Sequence, residues 1–348
     1  MLNIQEHTIQ SNASVLEAFE KLNHIPNTLT LFILDDQERL VGTLSDGDIR
    51  RGFLSGLTLN DKVTKFMFTN FSALRSDNCN PDQINPIKKR GVKLLPILDS
   101  EGKIKRVIDF GKVKTILPVD VVLMAGGRGE RLRPLTDTTP KPLLKVGNKP
   151  IIEHNIDRLS EFGIRNFHIS IGYLGEQIET FFKNGEEKGV SIEYIKEVSP
   201  LGTFGSVKLI KNVTNNNLLV MNSDLFTNID YEDFYQEFIH SGADMAIATI
   251  PYVVDIPYAV LDIEENSIKG FREKPRYTYF SNAGIYLVKQ ELLSLIPPNI
   301  FFNATDFIQK LIDENKRIVR FPILGYWVDI GRHEDYIKVQ EMVKHIHS

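Results

Sequence analysis

Four charged residues lie where the chain would aim them at a phosphorylated ligand. The run 121–124 is apolar and empties into Gly126, Gly127, Arg128 and Gly129, so backbone N–H groups can approach phosphate oxygens with no Cβ in the way. Arg131 follows the last glycine and can lay a guanidinium along a triphosphate, neutralising charge that builds on a departing pyrophosphate. Lys141 stands between Pro140 and Pro142, whose fixed φ stiffens the segment and aims the lysine. Two acids complete the set. Asp224 ends the apolar run 218–221 and Asp329 ends 326–328, and ligands of open α/β sheets gather beyond such strand ends. Taken singly, either acid reads as a turn or cap residue. Both are candidates for Mg²⁺, which takes one or two protein carboxylates and fills its shell with substrate phosphate and water.

These residues need a scaffold that delivers strand ends to one edge. From about residue 119 onward the pattern alternates as a doubly wound sheet does. Residues 119–124, 167–171, 218–221 and 246–250 read as strands, and 259–263 with 268–272 continue the sheet as a hairpin turning at 264–266. Ile152, Ile156 and Leu159 have helical spacing with Gly163 at the C-cap, 176–182 reads as a helix, and 333–345 closes as an amphipathic one. Thr305 and Asp306 read as a helix cap. His154, His168 and His240 read as helix-face or strand residues, and His333 as helping to start the last helix. No Gly-Lys-Ser/Thr follows the glycines, so this is not a P-loop; Leu132 occupies the third glycine place of a dinucleotide fingerprint.

In this order the segments resemble the sugar nucleotidyltransferase family, from residue 119 to about 343. Gly127, Gly129, Arg131, Leu132, Leu135 and Thr136, then Pro140, Lys141 and Pro142, match its signature, with Glu130 where a threonine is frequent. The resemblance implies a Rossmann-like, GT-A-like mixed sheet. It implies nucleotide contacts from Met124, Ala125, Gly126, Gly127, Gly129, Arg131, Pro200 and Gly202. It gives Arg131, Lys141 and Asp224 catalytic roles and makes Asp224 and Asp329 the Mg²⁺ ligands. Sugar contacts fall to Glu197, Gly202, Glu273, Lys274 and Asn282. The implied reaction is in-line attack of a sugar-1-phosphate oxygen on the α-phosphorus of an NTP with loss of pyrophosphate. It needs no general base, since the nucleophile is already ionised.

The first third of the chain carries a faint repeat: 32–35 with 40–50, and 96–99 with 104–113, each a strand, polar turn, second strand and helix start. Such units pack on one another, and the pattern resembles a tandem CBS pair over 1–117, ahead of a transferase domain over 118–348. In the first unit Gly42, Ser45 and Asp48 match the family's ribose-holding pattern; Arg106, Asp109 and Lys112 replace it in the second. Ser45 and Asp48 also read as a helix N-cap with a first-turn carboxylate, so a regulatory nucleotide and simple dimerisation are both expected uses of this module. A CBS pair before a transferase is most like the glucosamine-1-phosphate guanylyltransferases of legionaminic acid biosynthesis, implying GTP. Mannose-1-phosphate guanylyl and glucose-1-phosphate uridylyl or thymidylyl transfer remain open, as does an idle nucleotide-sensing subunit.

The whole-chain balance agrees. With 348 residues, 42% hydrophobic, 25% charged and a net charge of −4, the chain expects a globular, multi-domain protein with no nucleic acid or membrane partner. A single cysteine, Cys79, rules out an intramolecular disulfide and reads as a surface thiol. With no signal-like start and no bilayer-length apolar run, the expectation is a cytoplasmic homo-oligomer.

Overall fold

Two serines in the first fifty residues open helices by the same device. Ser14 accepts the amide of Glu17 while the Glu17 carboxylate takes the Ser14 N–H at 2.8 Å, and Ser45 and Asp48 repeat the exchange. They start α1 (Val15–Asn23) and α2 (Asp46–Leu54), which accompany β1 (Thr8–Gln10), β2 (Thr30–Leu34) and β3 (Leu40–Ser45). The sheet order is β1-β2-β3, with β1 parallel and β3 antiparallel to β2. A second sheet has the same plan: β4 (Leu74–Arg75), then α3 (Pro81–Lys89), β5 (Leu94–Leu98) and β6 (Ile104–Asp109), in the order β4-β5-β6. Phe32, Leu40 and Leu94 pack together, and Leu40 N–H donates to the Gly102 carbonyl at 3.0 Å, so each repeat buries apolar surface of the other. The helix expected to start after β6 does not form. Asp109 takes the Gly111 amide at 2.9 Å and closes a turn instead.

The computed structural model describes residues 3–25, 29–75, 81–197 and 199–346; Cys79 lies outside them. The chain separates into one unit of Met1–Leu117 with Glu161–Gly163 and another of Pro118–Ser160 with Ile164–Ser348. Among the described residues no helix is long and apolar enough to cross a membrane.

The second unit is built on β7 (Asp120–Ala125), whose apolar run is buried in mid-sheet. After it come the short hairpin β8 (Lys145–Val146) and β9 (Lys149–Pro150), α4 (Ile151–Glu161), β10 (Asn166–Ile171), α5 (Gly175–Phe182) and β11 (Ser191–Lys196). The four-residue α6 (Gly202–Gly205) leads to β12 (Asn217–Asn222), β13 (Leu225–Thr227), α7 (Tyr231–His240) and β14 (Met245–Asp255). The chain continues through β15 (Val260–Glu264), β16 (Ser267–Arg272), β17 (Arg276–Lys289) and α8 (Ala304–Asp313). It closes with β18 (Ile318–Pro322), β19 (Trp327–Asp329) and α9 (His333–Ile346). Seven strands form the sheet β11-β10-β7-β12-β17-β14-β18, with β17 antiparallel to both neighbours.

Two readings of this half need correction. β15 and β16 pair as a hairpin, as their spacing suggested, but as a separate two-stranded ribbon outside the large sheet. The sheet position is taken by the long β17, whose polar start at 276–282 hides its strand character. The cap of α8 is Asn303, with Asp306 completing its capping box, so Thr305 is already helical.

Candidate functional site

β7 and β12 are parallel neighbours, and both deliver their C-terminal ends to the same edge. Ser223, just past β12, donates its hydroxyl to the Met124 carbonyl at 2.7 Å, and Asn155 on α4 donates to the Ser223 carbonyl at 3.0 Å. Asp224 is thereby fixed beside the glycine loop. A second connection brings in Asp329: β13 pairs antiparallel with β19, Leu225 opposite Asp329, and the Ile330 amide donates to the Asp224 carbonyl at 3.1 Å. Trp327 anchors β19 to β17 by donating Nε1–H to the Ala283 carbonyl at 2.9 Å.

Lys141 reaches into this junction. Its Nζ forms a direct ion pair with Asp224 Oδ2 and lies 3.8 Å from Asp329 Oδ1. The lysine is nearly buried. Arg131 completes the group. Its guanidinium nitrogens lie against Gly331, 3.6 and 3.7 Å from where a Cβ would stand, with Asp329 Oδ1 at 3.7 Å from the same point. Burial pushes the Asp329 carboxyl above its ordinary range and the neighbouring Asp224 adds to the effect, while Lys141 and Arg131 pull it down. Arg131, Lys141, Asp224 and Asp329, from four separate segments, form one cluster.

The loop itself is shaped by its glycines. Gly129 has φ +63°, and Thr136, buried beneath it, donates its hydroxyl to the Gly129 carbonyl at 2.9 Å. A Cβ on Gly126 would stand 2.9 Å from Glu197 Oε1, whereas one on Gly127 would meet no described atom within 4 Å. A side chain at Gly127 would therefore stand in open space. The 133–147 segment is braced by the last helix: the His333 ring nitrogen lies 2.9 Å from the Arg133 carbonyl, and Tyr336 donates to the Lys145 carbonyl at 2.6 Å.

Both carboxylate oxygens of Glu197 are engaged: it accepts the Ser170 hydroxyl and, at 3.0 Å, the Leu201 amide. It thus ties the turn at Pro200 and Gly202 to the glycine loop. Gly202, φ +74°, lies so close to Phe302 that a Cβ would stand 2.9 Å from its carbonyl oxygen. Asn282 spends its amide on the Tyr286 hydroxyl and the Gly284 N–H, both at 2.9 Å. Glu273 and Lys274 stand exposed where the ribbon returns to β17, and among the described residues no ion pair joins them to the charged cluster. Sequence reasoning passed over Ser223, Asn155 and His333 as functional supports and had Thr136 only as part of the family signature. Of the three, Ser223, wedged between a strand end and the acid, carried a local signal.

Two carboxylate oxygens, Asp224 Oδ1 and Asp329 Oδ1, are buried and accept no hydrogen bond. Unpaired buried carboxylate oxygens are costly and suit a cation. No group of three or more His, Cys, Asp or Glu gathers among the described residues, so an all-protein cage is absent there, while a two-carboxylate Mg²⁺ site fits.

The family profile of the nucleotidyl transferases matches residues 120–345. The chain belongs to that family. A CBS domain matches residues 4–55 at the N-terminus, covering the first of the two repeats. Over 230 residues the chain is 36% identical to mannose-1-phosphate guanyltransferase of Kluyveromyces lactis, and the match spans 62% of each chain. It is 29% identical to D-glycero-α-D-manno-heptose 1-phosphate guanylyltransferase of Aneurinibacillus thermoaerophilus, over 65% of this chain and 99% of that one. HddC of Yersinia pseudotuberculosis has the same fold, with TM-score 0.52 and 27% identity over 65% of this chain and 99% of that one. Its complex with GMP-PN gives 0.51 at 26% identity, with the same coverage. The chain thus spans about three-fifths of the length of the mannose-1-phosphate relatives and nearly all of the shorter heptose enzyme.

Proposed function

We propose that the chain transfers a nucleoside monophosphate from an NTP to a sugar-1-phosphate, releasing pyrophosphate, with Mg²⁺ as its metal. The observation that carries this is the convergence of Arg131 and Lys141 on two carboxylates, each with a buried oxygen that accepts no hydrogen bond, at the mouth of a glycine loop. Asp224 and Asp329 would hold the metal, which when bound offsets negative charge on the phosphates. The glycine loop receives the triphosphate on backbone N–H groups. Arg131 and Lys141 hold the leaving oxygens through in-line displacement, so the cluster works by position and charge. Lys141 is free for that task once its carboxylate partner is occupied. The sugar phosphate arrives ionised, so the proposed step calls for no general base.

Guanine is the base this reading favours, because the curated relatives named above are guanylyltransferases and HddC has been captured with GMP-PN. For the sugar, the relatives' names favour a manno-configured sugar-1-phosphate, while glucosamine-1-phosphate rests on the resemblance of the CBS-first arrangement alone. Pyrophosphate release with four NTPs against glucosamine-, mannose-, heptose- and glucose-1-phosphate decides among them. Turnover with GTP and one of these is expected; no turnover with any pair in the presence of Mg²⁺ would sink the reading. The setting is the cytoplasm, where NTPs are made.

The N-terminal unit would be a tandem CBS pair with a regulatory nucleotide site. A cleft of about 680 Å³ between its repeats is lined by Ser45, Asp48, Arg51, Arg90 and Lys93. The Asp48 carboxylate is engaged by Ser45 and, at 2.5 Å, by Arg51, so a ligand there would have to compete with the helix cap. Titration of the full chain with ATP, ADP and GTP, in wild type and Arg90→Glu, tests it; equal affinities in the two proteins would refute a nucleotide in this cleft.

A further inference from the structure

We infer, resting on the transfer proposed above, that Asn222 reads a hydroxyl of the sugar-1-phosphate and so helps to set which sugar is accepted. Asn222 is the last residue of β12. Side chains of a strand alternate between its faces, so Leu218, Val220 and Asn222 form one row. Leu218 and Val220 are fully buried in the core that also holds Phe204 and Tyr286. Asn222 ends the row partly exposed, the first of the three to reach solvent.

Its carboxamide is placed and unspent. Gly284 of β17 lies beside it: a Cβ there would stand 2.8 Å from Asn222 Nδ2 and 3.3 Å from Cγ, so the glycine leaves room for the amide. Among the described residues no hydrogen bond engages Asn222 Nδ2 or Oδ1. Asn282 is the opposite case. Its Oδ1 takes the Gly284 N–H and its Nδ2 donates to the Tyr286 hydroxyl, both at 2.9 Å. Asn282 therefore braces Gly284, and Asn222 is the carboxamide beside it that still offers donors and an acceptor at once, the combination that a hydroxyl matches.

A partly exposed amide is ordinary in itself, and its place in the sheet selects the ligand. The strand order runs β7, β12, β17. The glycine loop follows β7 and Asp224 follows β12. In-line displacement puts the entering and leaving groups on opposite sides of the α-phosphorus. The departing pyrophosphate belongs to the glycine-loop side, and the metal acid stands between. The entering sugar phosphate therefore comes from the β17 side, where Asn222 lies against Gly284.

Steady-state kinetics of the full chain, with its best sugar-1-phosphate and the monodeoxy analogues of that sugar, test the assignment. Asn222→Ala should raise KM for the sugar-1-phosphate roughly tenfold, with KM for the NTP and the melting temperature in place. In the wild type one monodeoxy analogue should lose roughly tenfold in kcat/KM. Asn222→Ala should use that analogue and its parent equally well, because the group that reads the missing hydroxyl is gone. Asn222→Ser, which keeps a small polar side chain, should show the same loss of discrimination. A merely structural asparagine would leave the deoxy penalty unchanged in both variants. That outcome, no deoxy penalty in the wild type, an unchanged sugar KM, or a rise confined to the NTP KM would each overturn the assignment and leave the proposed transfer standing. A wild type that uses no sugar-1-phosphate would remove both.

Discussion

Lys141 and Asp224 form the direct ion pair of the site, and each is nearly buried, so replacing either leaves a charge without its partner. Lys141→Ala or Asp224→Asn should lower pyrophosphate release by at least about a hundredfold, the scale seen when one preorganised charge is lost. Circular dichroism should show the sheet intact, and near-wild-type rates in either variant would refute the assigned role. A different residue, His168, links stability to pH. His168 on β10 is buried, with its Nε2 unpartnered and its Nδ1 3.6 Å from Glu193. Burial lowers its pKa, against the pull of Asp120 and Glu193. The unfolded chain therefore takes up a proton near pH 6.5 while the folded chain does not, and stability is full above that pH and falls as pH drops below it. A neutral His168→Gln variant should show a melting temperature that declines less steeply between pH 7 and 5, the difference corresponding to at most about 1.4 kcal/mol per pH unit. Parallel slopes would assign the acid loss elsewhere.

The loop after β7 separates backbone need from ligand need. Gly129 holds φ +63° with Thr136 and Lys141 atoms 3.0 and 3.1 Å from a would-be Cβ, so Gly129→Ala should lower stability by about 1–2 kcal/mol. Gly127 has open space, and Gly127→Ala should leave the melting temperature in place while raising KM for the NTP. A reversed pattern in thermal melts and steady-state kinetics would contradict a phosphate role for Gly127. At this scale much was legible in the residues. β7, β10, β12, α4, α5 and α9 announce themselves by apolar runs and helical spacing within one or two residues of where they lie. The cluster's members were nameable because each ends an apolar strand or sits in a stiff loop. Their convergence was not, since the β13–β19 pairing is three residues long and joins segments about a hundred apart. Nor did the sequence reveal that Glu197 and Asn282 have their polar atoms taken within the fold, because Ser170, Leu201 and Tyr286 are distant in the chain or unremarkable in type. The missing helix after β6 shows the same limit: an Asp–x–Gly turn outcompetes a helix start when its carboxylate takes the second amide.

The two units have separate cores, one around Val15, Leu31 and Ile49, the other around Val122, Phe204 and Phe307. Separate cores can melt separately. Calorimetry should therefore resolve two transitions, and a non-reacting GTP analogue with Mg²⁺ should raise the one belonging to Pro118–Ser160 and Ile164–Ser348 by about 2.7 kcal/mol at a hundredfold excess over Kd. Lys141→Ala should abolish that rise and spare any shift in the other transition; a rise that survives the substitution would place the analogue elsewhere. The β13–β19 pairing also bears on how the protein is made. A ribosome emits Lys141 and Asp224 long before Asp329, and the earlier segments fold first. Until β19 emerges and docks, the lysine has one acid beside it and the second carboxylate is missing. On the proposed reaction, a chain halted partway, however well its sheet has formed, would lack one of the two carboxylates offered to the metal and would not consume NTP.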